Sequence, residues 1–271
     1  MLADMLPSRF WTQLSLRDMR AHDMSRVIAV LPIAAVEQHG PHLPLGVDAM
    51  IMEGCVERVA ARLPDDLDVV FLPIQSVGVS TEHRDFPGTL TLTNETASRL
   101  LCEIAEGVLR AGVTKLALLN SHGGNSALVS QSALELRARF GALAVVASWA
   151  RFGYPDGLFS ELELRHGVHG GEIETSLMLA FRPELVDMAR AKNFPPATLD
   201  FERDFAWLRA DRPAGFGWMA QDLSPAGAMG DASKASATKG EAVADYWATA
   251  FIELLRDIEA FDPTRLKSLD D

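Results

Sequence analysis

At 271 residues, 48% of them hydrophobic, the chain can bury a full-sized core and is read as one domain spanning residues 1–271. A formal net charge of −12 argues against nucleic acid and anionic membranes, which reward Lys- and Arg-rich faces, and favours a small soluble substrate. The first twenty residues interleave Asp4, Arg9, Arg17 and Asp18 with apolar side chains, unlike a signal peptide, and no apolar run is long enough to span a bilayer, so a cytoplasmic location is expected.

Apolar, β-rich runs predict strands over 26–33, 68–73, 114–120 and 143–149, with 3.6-periodic stretches between them. Helices are expected over 49–63 after an Asp48 N-cap, over 95–110 after Asn94, and from Ser126 to Phe140, where Gly141 stops the pattern. This alternation reads as βαβ units around a mainly parallel sheet. Cys55 and Cys102 fall inside apolar helical patterns and are read as core residues. Between 193 and 228 the periodicity fails: prolines and glycines mix with Phe201, Phe205, Trp207, Phe216 and Trp218, as in a lid, a binding loop or a subunit contact. A last helix is expected over about 240–261.

The chemistry concentrates at strand ends, where open α/β folds place it. Directly after the first strand comes Glu37-Gln38-His39-Gly40-Pro41-His42, followed by Asp48. In extended chain Glu37 and His39 project to one face, and this mixture of oxygen and imidazole donors without thiolates suits zinc, manganese or divalent iron. The bland alternative makes Asp48 only an N-cap. The third strand runs into Asn120-Ser121-His122-Gly123-Gly124-Asn125, placing His122 at the same edge, where the glycines let backbone approach a ligand; Ser121 and Gly123 are candidate substrate contacts. A third cluster, His166-Gly167-Val168-His169-Gly170-Gly171-Glu172-Ile173-Glu174-Thr175-Ser176, enters an apolar helix and offers ligands or a general acid and base, although Glu172 could serve only as a first-turn acid. A Ser-Lys-x-Ser spacing near Lys234 resembles a serine acyl-enzyme motif and is discounted.

Taken together, Glu-Gln-His-Gly-x-His-Leu-Pro-x-x-x-Asp, Asn-x-His-Gly-Gly-Asn and His-x-Gly-x-x-Glu-Thr-Ser resemble the creatininase (creatinine amidohydrolase) family. Phe86-Pro87-Gly88-Thr89, Gly230-Asp231 and Lys239-Gly240-Glu241 extend the likeness over most of the chain. The resemblance implies a three-layer α/β/α sandwich, commonly a hexamer, with a dinuclear metal centre that hydrolyses a C–N bond in a small or cyclic amide. It implies Glu37, Asp48 and His122 around one ion and His39 with a bridging Asp48 around the other, the two ions sharing a hydroxide. His169 matches the family histidine that would pass a proton to the leaving nitrogen, with Glu172 as the alternative donor.

Departures from creatininase proper matter as much. There the histidine of the second motif is followed two residues later by a glutamate that completes the second metal site, the one of His39 and Asp48; here Gly124 stands in its place. Glu174 is the first candidate to supply the missing carboxylate and Glu172 the second. Arg165 and Val168 replace a Trp and a Glu ahead of the third-motif histidine, which argues against creatinine itself. Members with the His-Gly-Gly pattern include formamide deformylases, peptide-cleaving enzymes of cofactor maturation and ring-opening hydrolases of sugar-like compounds. A lactone or cyclic ketone therefore stays open as substrate, as does a metal-holding scaffold without turnover. In Ser80-Thr81-Glu82-His83-Arg84-Asp85, His83 and Arg84 are read as substrate contacts, Arg84 holding an anion unless Asp85 merely pairs it, and Trp149 as a pocket wall or a core residue.

Overall fold

The computed structural model describes residues 5–267. Its central sheet is parallel throughout, with β1 (Ile28–Ile33), β2 (Val69–Phe71), β3 (Lys115–Asn120) and β4 (Leu143–Ser148) in the order β2-β1-β3-β4. The helices are α1 (Leu16–Ala21), α2 (Val47–Arg62), α3 (Asn94–Arg110), α4 (Ser126–Phe140), α5 (Glu161–His166), α6 (Glu172–Phe181), α7 (Thr198–Asp204), α8 (Ala220–Leu223) and α9 (Ala237–Ala260).

Side chains alternate across each strand and divide the core in two. Ile28 and Val30 of β1 pack under α2, α6 and α9 with Met52, Leu177, Trp247 and Phe251, whereas Ala29, Leu31 and Ile33 pack under α3 and α4 with Leu101, Cys102, Leu128 and Leu136. Burial on both faces explains why these strands read as continuous apolar runs, and it yields the expected α/β/α layering. Both cysteines lie buried, Cys55 under one face and Cys102 under the other.

Expected and observed boundaries agree to within a few residues, but two caps moved. Thr93, not Asn94, caps α3: its backbone is extended and its hydroxyl accepts from the amide of Thr96 at 3.2 Å. Helix α2 starts at Val47 with Gly46 as its cap, so Asp48 is not an N-cap but lies inside the first turn with its carboxyl free. Helix α6 begins at Glu172, well ahead of its apolar run, which places Glu172 and Glu174 in its first turn.

The irregular segment after α6 carries short elements. Asn193–Phe194 pairs antiparallel with Gly230–Asp231, and Phe201 packs edge-on to Phe216 at 5.5 Å. Ser236 caps α9 through the amide of Lys239, which accounts for part of the Ser-Lys-x-Ser spacing.

Helices α6 and α9 touch backbone to backbone. A Cβ built on Gly240 would fall on the carbonyl oxygen of Ser176 and stand 2.9 Å from Cβ of Ala180, and a neighbouring helix cannot swing away as a side chain can. Gly240→Ala is therefore expected to cost about 1–3 kcal/mol of stability in chemical denaturation. Gly107→Ala on α3, where a Cβ meets only the tip of Arg110 at 3.8 Å, should be neutral or mildly stabilising; equal midpoints for the two variants would contradict this packing.

Candidate metal centre

The strand order places the C-terminal ends of β1 and β3 side by side where the chain reverses its direction of winding, the usual crevice of an open parallel sheet. Each end is then locked. Beyond β1 the amide of Glu37 donates to the carbonyl of Leu45 at 2.9 Å, and His42 reaches the hydroxyl of Thr175 on α6 at 2.9 Å. Beyond β3 the amide of His122 donates to Oδ1 of Asn120 at 3.2 Å. The Asn125 amide donates to the carbonyl of Ala34 at 3.0 Å and accepts from the amide of Val79 at 2.8 Å. Both asparagines of the second motif thus hold backbone in place, and Ser121 anchors α2 by donating to the carbonyl of Asp48 at 3.0 Å.

Into this frame project two buried groups of acids and imidazoles that share a wall. His122 Nε2 lies 3.3 Å from Glu37 Oε2 and 3.4 Å from Glu82 Oε1, while its Nδ1 lies 3.3 Å from Asp48 Oδ2. His39 Nε2 stands 3.9 Å from Asp48 Oδ1, 4.0 Å from Glu37 Oε1 and 3.7 Å from Glu174 Oε2. Donor atoms of Glu37, Glu82 and His122, and of His39, Asp48 and Glu174, lie within 4.8 Å of one another, close enough in each group for one cation.

Hydrogen bonds fix how the imidazoles are presented. His39 Nδ1 donates to the carbonyl of Glu37 at 3.0 Å, leaving the Nε2 lone pair aimed at the acids. His169 Nε2 donates to the carbonyl of Gln38 at 2.6 Å, so its Nδ1 lone pair faces Glu37 Oε1 at 3.5 Å. Gln38 itself is oriented by the amide of Gly40, which donates to its Oε1 at 2.9 Å, so Nε2 is the end that donates to His83 Nδ1 at 2.8 Å. His83 consequently offers an Nε2–H, 3.6 Å from Glu37 Oε1. The ring of His169 stacks on that of His83 and lies tilted against that of His39, with centroids 4.2 and 4.1 Å away.

Both carboxylate oxygens of Glu37, Nε2 of His39 and Oδ2 of Asp48 are buried without any hydrogen-bond partner. An unpaired buried polar atom costs about 1–3 kcal/mol, more when charged, so a fold that assembles four has something for them to bind. The titration of these groups fits the same picture. Burial, with the charge of Glu37 added, pushes Asp48 up to about 8, and burial likewise raises Glu174. Burial also raises Glu37, but His122, His169 and His39 outweigh it and hold the carboxyl below its ordinary range. Burial lowers His39, His83 and His169 to about 4, so each presents a neutral ring. Oxygen and neutral-imidazole donors of this kind fit zinc, manganese or divalent iron.

Seven expected site residues therefore converge: Glu37, His39, Asp48, His83, His122, His169 and Glu174. Others do not. Glu172 ion-pairs with Lys239, and its amide donates to Glu163 at 2.6 Å; it is the first-turn acid and faces away from the cluster. Arg84 stands in solvent beside Asp85 at 3.6 Å. Trp149 is fully buried core, stacked on Trp247 at 6.0 Å and donating to the sulfur of Met52. Gly123 is exposed, and a Cβ there would meet nothing within 4 Å. Sequence reasoning missed Glu82, which stands beside His83 in a one-turn 3₁₀ helix and comes within 3.4 Å of His122.

A sequence model of the family described as creatinine amidohydrolase matches residues 12–255. The chain belongs to the creatininase family. It is 30% identical to the creatinine amidohydrolase of Pseudomonas putida over 258 residues, 88% of this chain and 91% of that one. It is 29% identical to the mycofactocin precursor peptide peptidase of Mycolicibacterium smegmatis over 226 residues, 82% of this chain and 81% of the relative. With the 3-dehydro-scyllo-inosose hydrolase of Thermotoga maritima it shares 28% identity over 252 residues, 85% and 77% of the two chains. A solved mutant creatininase described as of Zn-Zn type superposes with a TM-score of 0.77 at 27% identity, covering 94% of this chain and 99% of that one. Creatininase-family proteins are hydrolases, and this chain has the convergent donors a metal-dependent one requires.

A cation bound by these groups stabilises only the folded state. Chelation with EDTA should lower the melting temperature by about 5–10 °C, since saturation at 100 times Kd is worth about 2.7 kcal/mol and a domain of this size shifts about 2–4 °C per kcal/mol. Added Zn²⁺ or Mn²⁺ should restore it; a melting curve indifferent to chelator and metal would contradict the site.

Proposed function

We propose that this protein hydrolyses a carbonyl C–N bond in a small or cyclic amide with the help of two divalent ions, zinc foremost and manganese or iron as alternatives. The observation that carries the reading is the set of orphaned donors on Glu37, His39 and Asp48, lying beside a neutral His169 whose free lone pair faces them. Glu37, Asp48 and His122 would hold one ion and His39, Asp48 and Glu174 the other, with Asp48 shared. When bound, such ions act as Lewis acids and lower the pKa of water to near neutrality.

The remaining steps belong to the chain. His169 Nδ1 is free to take the proton of the attacking water and hand it to the departing nitrogen, while the bond from Nε2 to Gln38 keeps the ring in one tautomer. His83 Nε2–H points into the same space and suits a substrate oxygen. Gln38 orients His83 through its side chain and His169 through its carbonyl, so it positions both rings without itself meeting the substrate.

Creatinine is not the substrate proposed. Val168, at a position where creatininase has a substrate-facing acid, is 54% exposed, and Arg165 turns outward to pair with Glu202 at 2.7 Å. The relatedness to a 3-dehydro-scyllo-inosose hydrolase supports a second reading in which the attacked carbonyl belongs to a lactone or cyclic ketone, because the same nucleophile serves both. Assembly into a homo-oligomer, with a hexamer as the family precedent, is also proposed; Trp207, 73% exposed, with Phe205 and Leu208 nearby, supplies an apolar surface for it.

Two measurements test this reading. Asp48→Ala should lose both ions by elemental analysis together with all turnover on a panel of amides, lactams and lactones; stoichiometric metal retained in that variant would overturn the shared-ligand assignment. His169→Gln should keep its metal but lose about 10²–10⁴-fold in kcat, the range typical of general acid–base catalysis. Unchanged kcat would remove His169 from the proton path.

A further inference from the structure

In the two-ion reading, the acid of the second ion comes from Glu174, on a different element from its partner His39. His39 lies on the chain leaving β1 and Glu174 in the first turn of α6, with their donor atoms 3.7 Å apart. Where α6 stands against the first motif therefore decides whether this group closes on a cation. Two contacts set that placement. The backbone of Gly170 runs against His39, so that a Cβ there would lie 3.1 Å from the His39 carbonyl oxygen, and its φ of +59° is one that glycine adopts without strain. The amide of Gly170 in turn donates to Oε2 of Glu174 at 2.6 Å. The second contact is His42, on the same loop as His39, whose Nε2 lies 2.9 Å from the hydroxyl of Thr175, the residue that follows Glu174. Both side chains are buried. The ring of His42 is backed by Phe194, stacked at 5.5 Å, and its carbonyl accepts from the amide of Asp187 at 2.9 Å.

We infer that His42 is a positioning residue for the second ion: through Thr175 it fixes α6 against the first motif and so holds Glu174 at coordinating distance from His39 and Asp48; the inference rests on the two-ion reading above. His42 is not itself a ligand. Its Nε2 is engaged by Thr175, and among the described residues it belongs to no group of donors close enough for one cation. The strap acts on one ion only. Glu37, Asp48 and His122 come from the end of β1, the start of α2 and the turn after β3, and none of them depends on α6. They have anchors of their own, the Ser121 hydroxyl on the carbonyl of Asp48 at 3.0 Å and Oδ1 of Asn120 on the amide of His122 at 3.2 Å. Helix α6 also keeps a second anchor when the His42 contact is removed, because Glu163 accepts from the amide of Glu172 at 2.6 Å. Loss of the strap should therefore loosen the second ion while the fold and the first ion persist.

The test is stepwise Zn²⁺ affinity in Thr175→Val, which keeps the shape and removes the hydroxyl, in His42→Phe, which keeps the stacking on Phe194, and in the double variant. Competition of the Zn²⁺-loaded protein with a chromophoric chelator should release two ions per chain from the wild type, and Glu174→Gln identifies which release belongs to the second ion. Thr175→Val and His42→Phe should each weaken that ion by roughly 10-fold, the lower end of what removing a group behind a metal ligand costs, and leave the other ion at wild-type affinity. The double variant should bind no more weakly than either single one, and Thr175→Ser, which returns the hydroxyl, should restore binding. A merely structural role would weaken both ions together. That outcome, a second ion at wild-type affinity in both single variants, losses that add in the double variant, or a Thr175→Ser as weak as Thr175→Val would each overturn the inference and leave the two-ion reading standing. Fewer than two Zn²⁺ per wild-type chain would overturn that reading and the inference with it.

Discussion

Everything at this site follows from one electrostatic constraint: the fold brings Glu37, Asp48, Glu82 and Glu174 together with His39, His83, His122 and His169 in a space largely closed to water. Buried like charges repel, and burial alone pushes carboxyls toward protonation and imidazoles toward neutrality. Hydrogen bonds ordinarily relieve such a cluster, yet here the bonds go to the far nitrogens of His39 and His169 while the inward-facing atoms of Glu37, His39 and Asp48 stay unpaired. That division of labour, one nitrogen fixed by backbone and the other left bare, prepares an imidazole for metal, as at His39, or for a proton, as at His169.

The scaffold answers to the same constraint. Donors from four separate segments must meet within a few ångströms, and the parallel sheet supplies two of the strand ends already adjacent. Much of the motif sequence serves that approach rather than chemistry. Asn120 and Asn125 hold the turn after β3, and His42 ties the first motif to α6. Glu163 accepts from the amides of Glu172 and Asp231, pinning the start of α6 against the segment that precedes α9. Gly240 lets α9 approach α6 closely enough for Lys239 to reach Glu172.

The layers of the fold were legible because strands buried on both faces leave uninterrupted apolar runs, and the helices between them carry strong periodicity. Caps were less so. Asn94 is a good cap by type, but Thr93 holds the extended backbone a cap needs, and no composition rule chooses between such neighbours. Glu37, His39, Asp48 and His122 were legible from motif and spacing. Arg84 and Trp149 were not, because a residue's chemistry does not say which way it faces: Arg84 turns to Asp85 and Trp149 into the core. Glu82 was hidden for a different reason. It lies on a segment outside the three motifs, and only coordinates show that its carboxylate comes within 3.4 Å of His122.

The most direct measurement is anomalous diffraction from crystals soaked in Zn²⁺ or Mn²⁺, recorded at the absorption edge of the metal. Two peaks about 3.5 Å apart, both adjoining the carboxylate of Asp48, with His122 flanking one and His39 the other, are the predicted result. No peak among these side chains, or a peak bound only elsewhere on the protein, would contradict the account.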